Sequence, residues 1–283
     1  MHRAGPSTSA HLRLLAVLAH PDDESLGVGG TLARYAREGA EVFLLTATRG
    51  ERGRNGESRQ TSPAELAALR EAELLAAARV LELSEVRLLD YPDGGLDRVD
   101  PGAAIATIAG HIRRIRPHVV LTFGPEGAYG HPDHIAISQL TTAAVQSAAG
   151  ATHAAPHLVS KLYYIAWTKS KWDAYQAALK KLTAKVDGVE RHTTPWPDWA
   201  VTTVIDTSLY APVVWRAVSC HRTQMSIYRN LEHLPEAHHQ ALWGSQEFYR
   251  AFSLVNGGRE LETDVFAGLR PQVNGVTAHD SRA

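Results

Sequence analysis

Apolar residues fall in short unbroken blocks separated by longer stretches of helical period, and that alternation predicts the architecture. Leu12–Ala19 is almost continuously apolar, the pattern of a strand buried on both faces. Gly30–Glu38 predicts a helix stopped by Gly39, and Ala40–Thr46 a second buried strand. Arg49–Thr61 is polar and rich in Arg and Gly, which predicts a loop. From Pro63 to about Leu83 the chain is rich in Ala, Leu, Glu and Arg and predicts a helix with proline in its first turn. Val86–Leu89 predicts a short strand and Tyr91–Asp97 a Pro/Gly loop. Asp100 caps a helix that starts at Pro101 and runs to about Arg116, and Val119–Phe123 predicts a further strand.

Repeated strand-then-helix alternation implies a parallel sheet covered by helices, joined by right-handed crossovers. Beyond it, Ile137–Ala149 and Lys171–Lys180 predict helices, and Lys161–Ala166 and Val201–Ile205 strands. Thr183–Trp199 is rich in Trp and Pro and reads as an irregular loop over the active face. Ala211–Tyr228 predicts one helix with Pro212 near its start. Without a repeat or a linker-like stretch, the expectation is one domain over 11–269, with a disordered lead-in at 1–10 and a flexible tail at 270–283.

Composition narrows the function classes. The 283 residues, 44% hydrophobic and 21% charged, suit a soluble protein able to bury a core without cross-links. Cys220 is the one cysteine, which leaves no internal disulfide and no thiolate-rich zinc site. The 29 Lys and Arg nearly balance the 30 Asp and Glu, so no basic footprint argues for nucleic acid or an anionic membrane. Apolar runs such as Leu14–Ala19 are too short to span a bilayer, and the N-terminus lacks a signal-peptide pattern. A cytoplasmic enzyme is expected.

Ligands of open parallel sheets bind beyond the carboxyl ends of the strands. Two such ends carry unusual residues. The first strand runs into His20-Pro21-Asp22-Asp23-Glu24, and Val119–Phe123 leads to Gly130-His131-Pro132-Asp133-His134. Proline biases its predecessor toward extended geometry and fixes its own φ, so in the turn that follows, residues three apart can face one point. A catalytic zinc wants three nitrogen or oxygen ligands and an open position, and His20, Asp23 and His134 supply that set. Asp22 is left beside the metal as an unligated carboxylate able to take a proton from the attacking water. His131 can lie across the site to protonate a leaving amine or stabilise an oxyanion, with Asp133 fixing its tautomer. The same donor set suits Fe2+ as well as Zn2+. Gly27-Val28-Gly29-Gly30 lacks the G-x-G-x-x-G spacing of a dinucleotide loop and reads as close backbone approach beneath the metal.

With these two motifs, the sequence resembles the PIG-L/LmbE-like deacetylase family, whose motifs are followed in order over roughly residues 11–260. The resemblance implies a Rossmann-like sheet, a mononuclear zinc and hydrolysis of N-acetylglucosaminyl compounds. It carries zinc ligation to His20, Asp23 and His134, the general base to Asp22, the acid or oxyanion role to His131, and an orienting role to Asp133. Arg70 and Asp93 resemble substrate-binding positions, and Arg49 lies in a loop where family members differ. His221-Arg222-Thr223-Gln224 is similar to a C-terminal His-x-x-Gln feature. Family members often assemble as trimers or hexamers, which implies a homo-oligomer acting on a small amino-sugar. Gly-Glu-Arg-Gly at 50–53 resembles the mycothiol S-conjugate amidase branch, so amidase action on a mycothiol- or bacillithiol-type conjugate is one alternative. A non-catalytic sugar- or nucleotide-binding protein is another.

Overall fold

The computed structural model describes residues 11–53, 61–150, 155–179, 184–186, 188–191, 194–258 and 260–270. The predicted lead-in at 1–10, most of the tail and the centre of the Arg/Gly-rich loop lie outside the described residues.

Strands β1 (Arg13–Leu18), β2 (Glu41–Thr48), β3 (Glu85–Tyr91), β4 (Val119–Phe123) and β5 (Lys161–Ile165) run parallel. The order across the sheet is β3-β2-β1-β4-β5-β9-β8. The last two, β9 (Ser245–Ser253) and β8 (Thr203–Asp206), pair antiparallel and close the far edge. Helices α1 (Asp23–Arg37), α2 (Pro63–Val80), α3 (Pro101–Ile115) and α5 (Pro132–Ala148) cover the parallel part, with a kinked turn α4 (Gly127–Gly130) before α5. β1 and β4 are buried along nearly their whole length, which is why both read as continuous apolar blocks.

Strand order reverses at β1, which pairs with β2 on one side and β4 on the other. That is the topological switch point, where the loops leaving two adjacent strands diverge and open a crevice. Leu14 pairs with Val119 and Ala16 with Leu121, so the same offset sets Leu18 opposite Phe123. Both His-Pro-Asp turns therefore leave the sheet side by side.

Several elements depart from expectation. Helix α1 begins at Asp23 rather than Gly30, and α5 at Pro132 rather than Ile137. In both cases the polar motif residues form the first helical turn, where unpaired N–H groups favour acidic side chains. Gly27–Gly30 consequently lie inside α1; a Cβ on Gly30 would come within 2.6 Å of Thr207, so this glycine serves helix packing rather than a metal. The expected helix Ala211–Tyr228 is two, α7 (Ala211–Val218) and α8 (Met225–Glu232), broken at Ser219–His221. Thr183–Trp199 contains a two-stranded ribbon, β6 (Ala184–Val186) with β7 (Val189–Arg191). Helices α6 (Lys169–Leu179) and α9 (Glu236–Trp243) join α7 and α8 in a second apolar cluster built on Trp172, Tyr175, Val214, Leu231 and Trp243. Among the described residues, no helix is long and apolar enough to cross a membrane.

Candidate active site

The turn after β1 is built to present carboxylates. The His20 N–H donates to Asp23 Oδ2 at 2.8 Å, and the Asp23 N–H returns to the His20 carbonyl at 3.3 Å. Asp22 between them sits at φ 115°, a left-handed conformation that costs a non-glycine residue about 1–3 kcal/mol. Its neighbours hold it there. Its N–H donates to Glu24 Oε2 at 2.9 Å, Arg70 donates to the adjacent Pro21 carbonyl, and Arg70 and the Tyr228 hydroxyl donate to its Oδ2 at 3.0 and 2.8 Å. Arg70 also donates to the Gly50 carbonyl at 2.8 Å. Glu24 in turn meets the fully buried His221 at 2.8 Å.

The turn after β4 supplies the imidazoles. His131 caps α5, its Nδ1 accepting the Asp133 N–H at 3.2 Å, which leaves the ring proton on Nε2. His134 stacks on Phe123, centroids 3.9 Å apart and planes 8° from parallel. Its Nε2 lies 3.3 Å from His20 Nδ1 and 3.4 Å from Asp23 Oδ1, and His20 Nδ1 is 3.6 Å from Asp23 Oδ2. Ligands of a tetrahedral zinc with bonds of about 2.0–2.1 Å stand roughly 3.3 Å apart. The three predicted ligands approach one another pairwise at about that spacing, His134 meeting Oδ1 of Asp23 and His20 meeting Oδ2. Among the described residues, the groups that gather one donor atom each within 4.8 Å are His20–His131–His134 and His20–Asp93–Asp133, and neither includes Asp23.

The electrostatics call for positive charge at this point. Burial opposes a charge on His20, yet the carboxylates of Asp133, Asp23 and Asp93 outweigh it and raise its pKa well above the usual imidazole value. Burial likewise opposes ionisation of Asp23, but His134 and His20 hold its pKa well below the usual carboxylate value. His131 moves the other way, pushed down to about 3 by burial and then by the neighbouring His134 and His20. It is therefore a neutral imidazole at pH 7. Burial raises the Asp22 pKa; Arg70 pulls it down and Asp23 adds to the rise.

Two expected roles are corrected. The Asp133 carboxylate does not orient His131: Oδ2 lies 3.1 Å from His20 Nε2 and takes the Gly94 N–H at 2.7 Å, and Oδ1 takes the Leu96 N–H at 3.1 Å. It fixes His20 instead, turning Nδ1 toward the other two donors. Arg49, expected at the substrate, is drawn away into ion pairs with Glu71 and, at 2.6 Å, Asp90. Arg70, expected at a substrate-binding position, is buried and donates to Asp22. Asp93 does reach the centre, with Oδ1 3.2 Å from His20 Nε2 and Oδ2 accepting the Arg52 N–H at 2.8 Å.

The sequence reading missed Tyr228, and it left the pairing of Glu24 with His221 unread. Both contacts span about two hundred positions and cross a helix break, so no local periodicity signals them. The His-x-x-Gln pattern beginning at His221 was the only trace.

Comparison with known proteins shows what the chain is similar to. The family described as PIG-L, GlcNAc-PI de-N-acetylase, matches residues 15–145, a span holding both His-Pro-Asp turns. A 1D-myo-inositol 2-acetamido-2-deoxy-alpha-D-glucopyranoside deacetylase of Kineococcus radiotolerans is 36% identical over 302 residues, covering 92% of this chain and 83% of the relative. Among solved structures, a conserved protein of Thermus thermophilus aligns at TM-score 0.63 and 27% identity, covering 87% of this chain and 97% of that one. The N,N'-diacetylchitobiose deacetylase of Pyrococcus horikoshii shares the fold at TM-score 0.64 and 19% identity, covering 85% and 84%.

Proposed function

The chain belongs to the PIG-L family of de-N-acetylases, and on that premise we propose that it hydrolyses the acetamide of an N-acetylglucosaminyl compound. The names of its relatives point to a myo-inositol-linked substrate. His20 Nδ1, His134 Nε2 and Asp23 fit a Zn2+ ion by their chemistry and spacing, and an Fe2+ ion by the same donors. Bound there, the cation would polarise the acyl carbonyl and make the attacking water more acidic.

The remaining roles fall to side chains of this chain. Asp22, held through Oδ2, offers Oδ1 to take the proton from the attacking water. The water oxygen bonds to the acetyl carbon, the C–N bond breaks, acetate departs and the amine nitrogen takes up the proton. His131, neutral and carrying its proton on Nε2, stands beside His20 and His134 with ring centroids 4.8 Å away from each. From there it can donate to the developing oxyanion or to the leaving nitrogen. Uncatalysed amide hydrolysis is very slow, and one positioned acid or base contributes roughly 10²–10⁴-fold, so the cation and both side chains are all needed.

The pairwise contacts of His20, Asp23 and His134 at 3.3–3.6 Å, the first two in the turn that also carries Asp22, support this reading most directly. The test is acetate release from a panel of N-acetylglucosaminyl compounds by metal-loaded protein, with and without a chelator. Asp22→Asn is expected to keep metal and lose most of the rate; His20→Ala is expected to lose the metal itself. A metal-loaded protein that cleaves no N-acetyl sugar in the panel refutes the substrate class. Adding S-conjugated thiols to the panel separates deacetylation from the amidase alternative.

A further inference from the structure

Asp22 can serve as a base only if one of its oxygens is free and aimed. Oδ2 is spoken for twice, by Arg70 Nη2 at 3.0 Å and by the Tyr228 hydroxyl at 2.8 Å. Oδ1 accepts no hydrogen bond from any described residue. The two donors differ in kind. Arg70 arrives from α2 and spreads its guanidinium over three acceptors, the Pro21 and Gly50 carbonyls and Asp22. Its rigid fork is shared between the carboxylate and two backbone carbonyls. Tyr228 offers a single O–H at the end of a rigid ring.

That ring is fixed from behind. Tyr228 is 7% exposed and packs in the second apolar cluster with Trp172, Tyr175, Leu231 and Trp243. The same cluster is tied to the start of α1 a second time, through the Tyr175 hydroxyl on the Leu26 carbonyl at 2.5 Å. The ring therefore cannot swing to follow Asp22. Turning the carboxylate over would offer Oδ1 to these donors and bring Oδ2 forward, while partial rotations would break the Tyr228 bond outright.

We infer that Tyr228 is a positioning residue for this reaction: its hydroxyl pins one oxygen of Asp22 so that the other faces the attacking water. The inference rests on Asp22 being the base. It also gives the second apolar cluster a role in catalysis, since this cluster sets the hydroxyl relative to the sheet.

The experiment compares wild type, Tyr228→Phe, Asp22→Asn and the double variant. The readouts are acetate release per metal-loaded site and zinc affinity by chelator competition. Tyr228→Phe keeps every ring atom and is expected to lower kcat roughly 10- to 100-fold, with KM and zinc affinity within about threefold of wild type. In the Asp22→Asn background the further loss should shrink below about twofold, because the hydroxyl then has no base to aim. If Tyr228→Phe does not fold, Tyr228→Met fills the same cluster without a hydroxyl and carries the same expectation. Unchanged kcat, an effect of equal size in both backgrounds, or a loss confined to KM or zinc affinity overturns the inference. A fully active Asp22→Asn overturns the base assignment beneath it, and the two failures are distinct because only the second appears in that single variant.

Discussion

Asp133 lies behind the candidate metal site, and Asp133→Asn separates its effect on the metal from its effect on the fold. The wild-type carboxylate accepts three hydrogen bonds, His20 Nε2 and the Gly94 N–H on Oδ2 and the Leu96 N–H on Oδ1. An asparagine of the same shape has one oxygen. Placing its NH2 at Oδ2 would confront two donors, so it goes to Oδ1 and confronts the Leu96 N–H alone. The lost bond and the unpaired buried N–H cost about 1–3 kcal/mol, with or without metal. The His20 contact survives but loses its charge, and partners of this type typically contribute 10- to 100-fold in metal affinity, about 1.4–2.7 kcal/mol. Urea unfolding of the metal-free variant reads the first quantity, and competition with a chromophoric chelator reads the second. Zinc affinity within twofold of wild type, in a variant that shows the stability loss, would refute the claim that Asp133 acts on the metal through His20.

Three further outcomes are expected. Gly50 sits at φ +66° with its Cα against the Arg70 guanidinium, so Gly50→Ala strains the backbone and pushes Arg70 off Asp22; kcat should fall at least about tenfold, and stability by about 1–3 kcal/mol, in acetate-release and thermal-melt assays. Arg49 spends its charge on Glu71 and Asp90 at a partly exposed site, so Arg49→Ala should change stability by no more than about 1 kcal/mol and leave KM within about twofold; a tenfold rise in KM would restore it as a substrate contact. Burial would raise the Glu262 pKa, but Lys161 and Tyr163 at 2.6 Å, with Asn256 and Thr203, hold it down to about 2. A depressed carboxylate stabilises the fold fully above its ordinary pKa and loses that contribution as pH falls through the folded value. The stability gap between wild type and Glu262→Gln should therefore narrow from about pH 5 down to about pH 2 in acid titrations; a gap that widens on acidification would contradict the assignment.

β1 and β4, at the centre of the parallel sheet, were legible because strands buried on both faces must be apolar along nearly their whole length. Of the antiparallel edge, β8 overlaps the strand predicted at Val201–Ile205, but β9 was not legible. β9 alternates half-buried with buried residues over its first four positions and is half-buried after them, so it reads as neither a continuous apolar block nor a helix, and it lies beyond the predicted elements. The starts of α1 and α5 were misplaced for a related reason. Their first turns are polar, with Asp and Glu in α1 and Pro, Asp and His in α5, and they are held by site contacts, and in α5 by the His131 cap, rather than by an apolar face. The two His-Pro-Asp turns were readable because proline-constrained turns at strand ends are a local pattern. The partners of Asp133 and Arg49 were not, since a side chain's nearest donor depends on which loops fold back beside it.

Residue order alone thus determined that buried parallel strands end in two His-Pro-Asp turns, and with them the donor chemistry at the sheet's rim. Only the tertiary structure decided which carboxylate supports which imidazole, and that α8 returns to hold Asp22. Local patterns record short-range sterics and burial. Contacts such as Tyr228 with Asp22 join residues 206 positions apart, and they exist only once two apolar clusters have packed against each other.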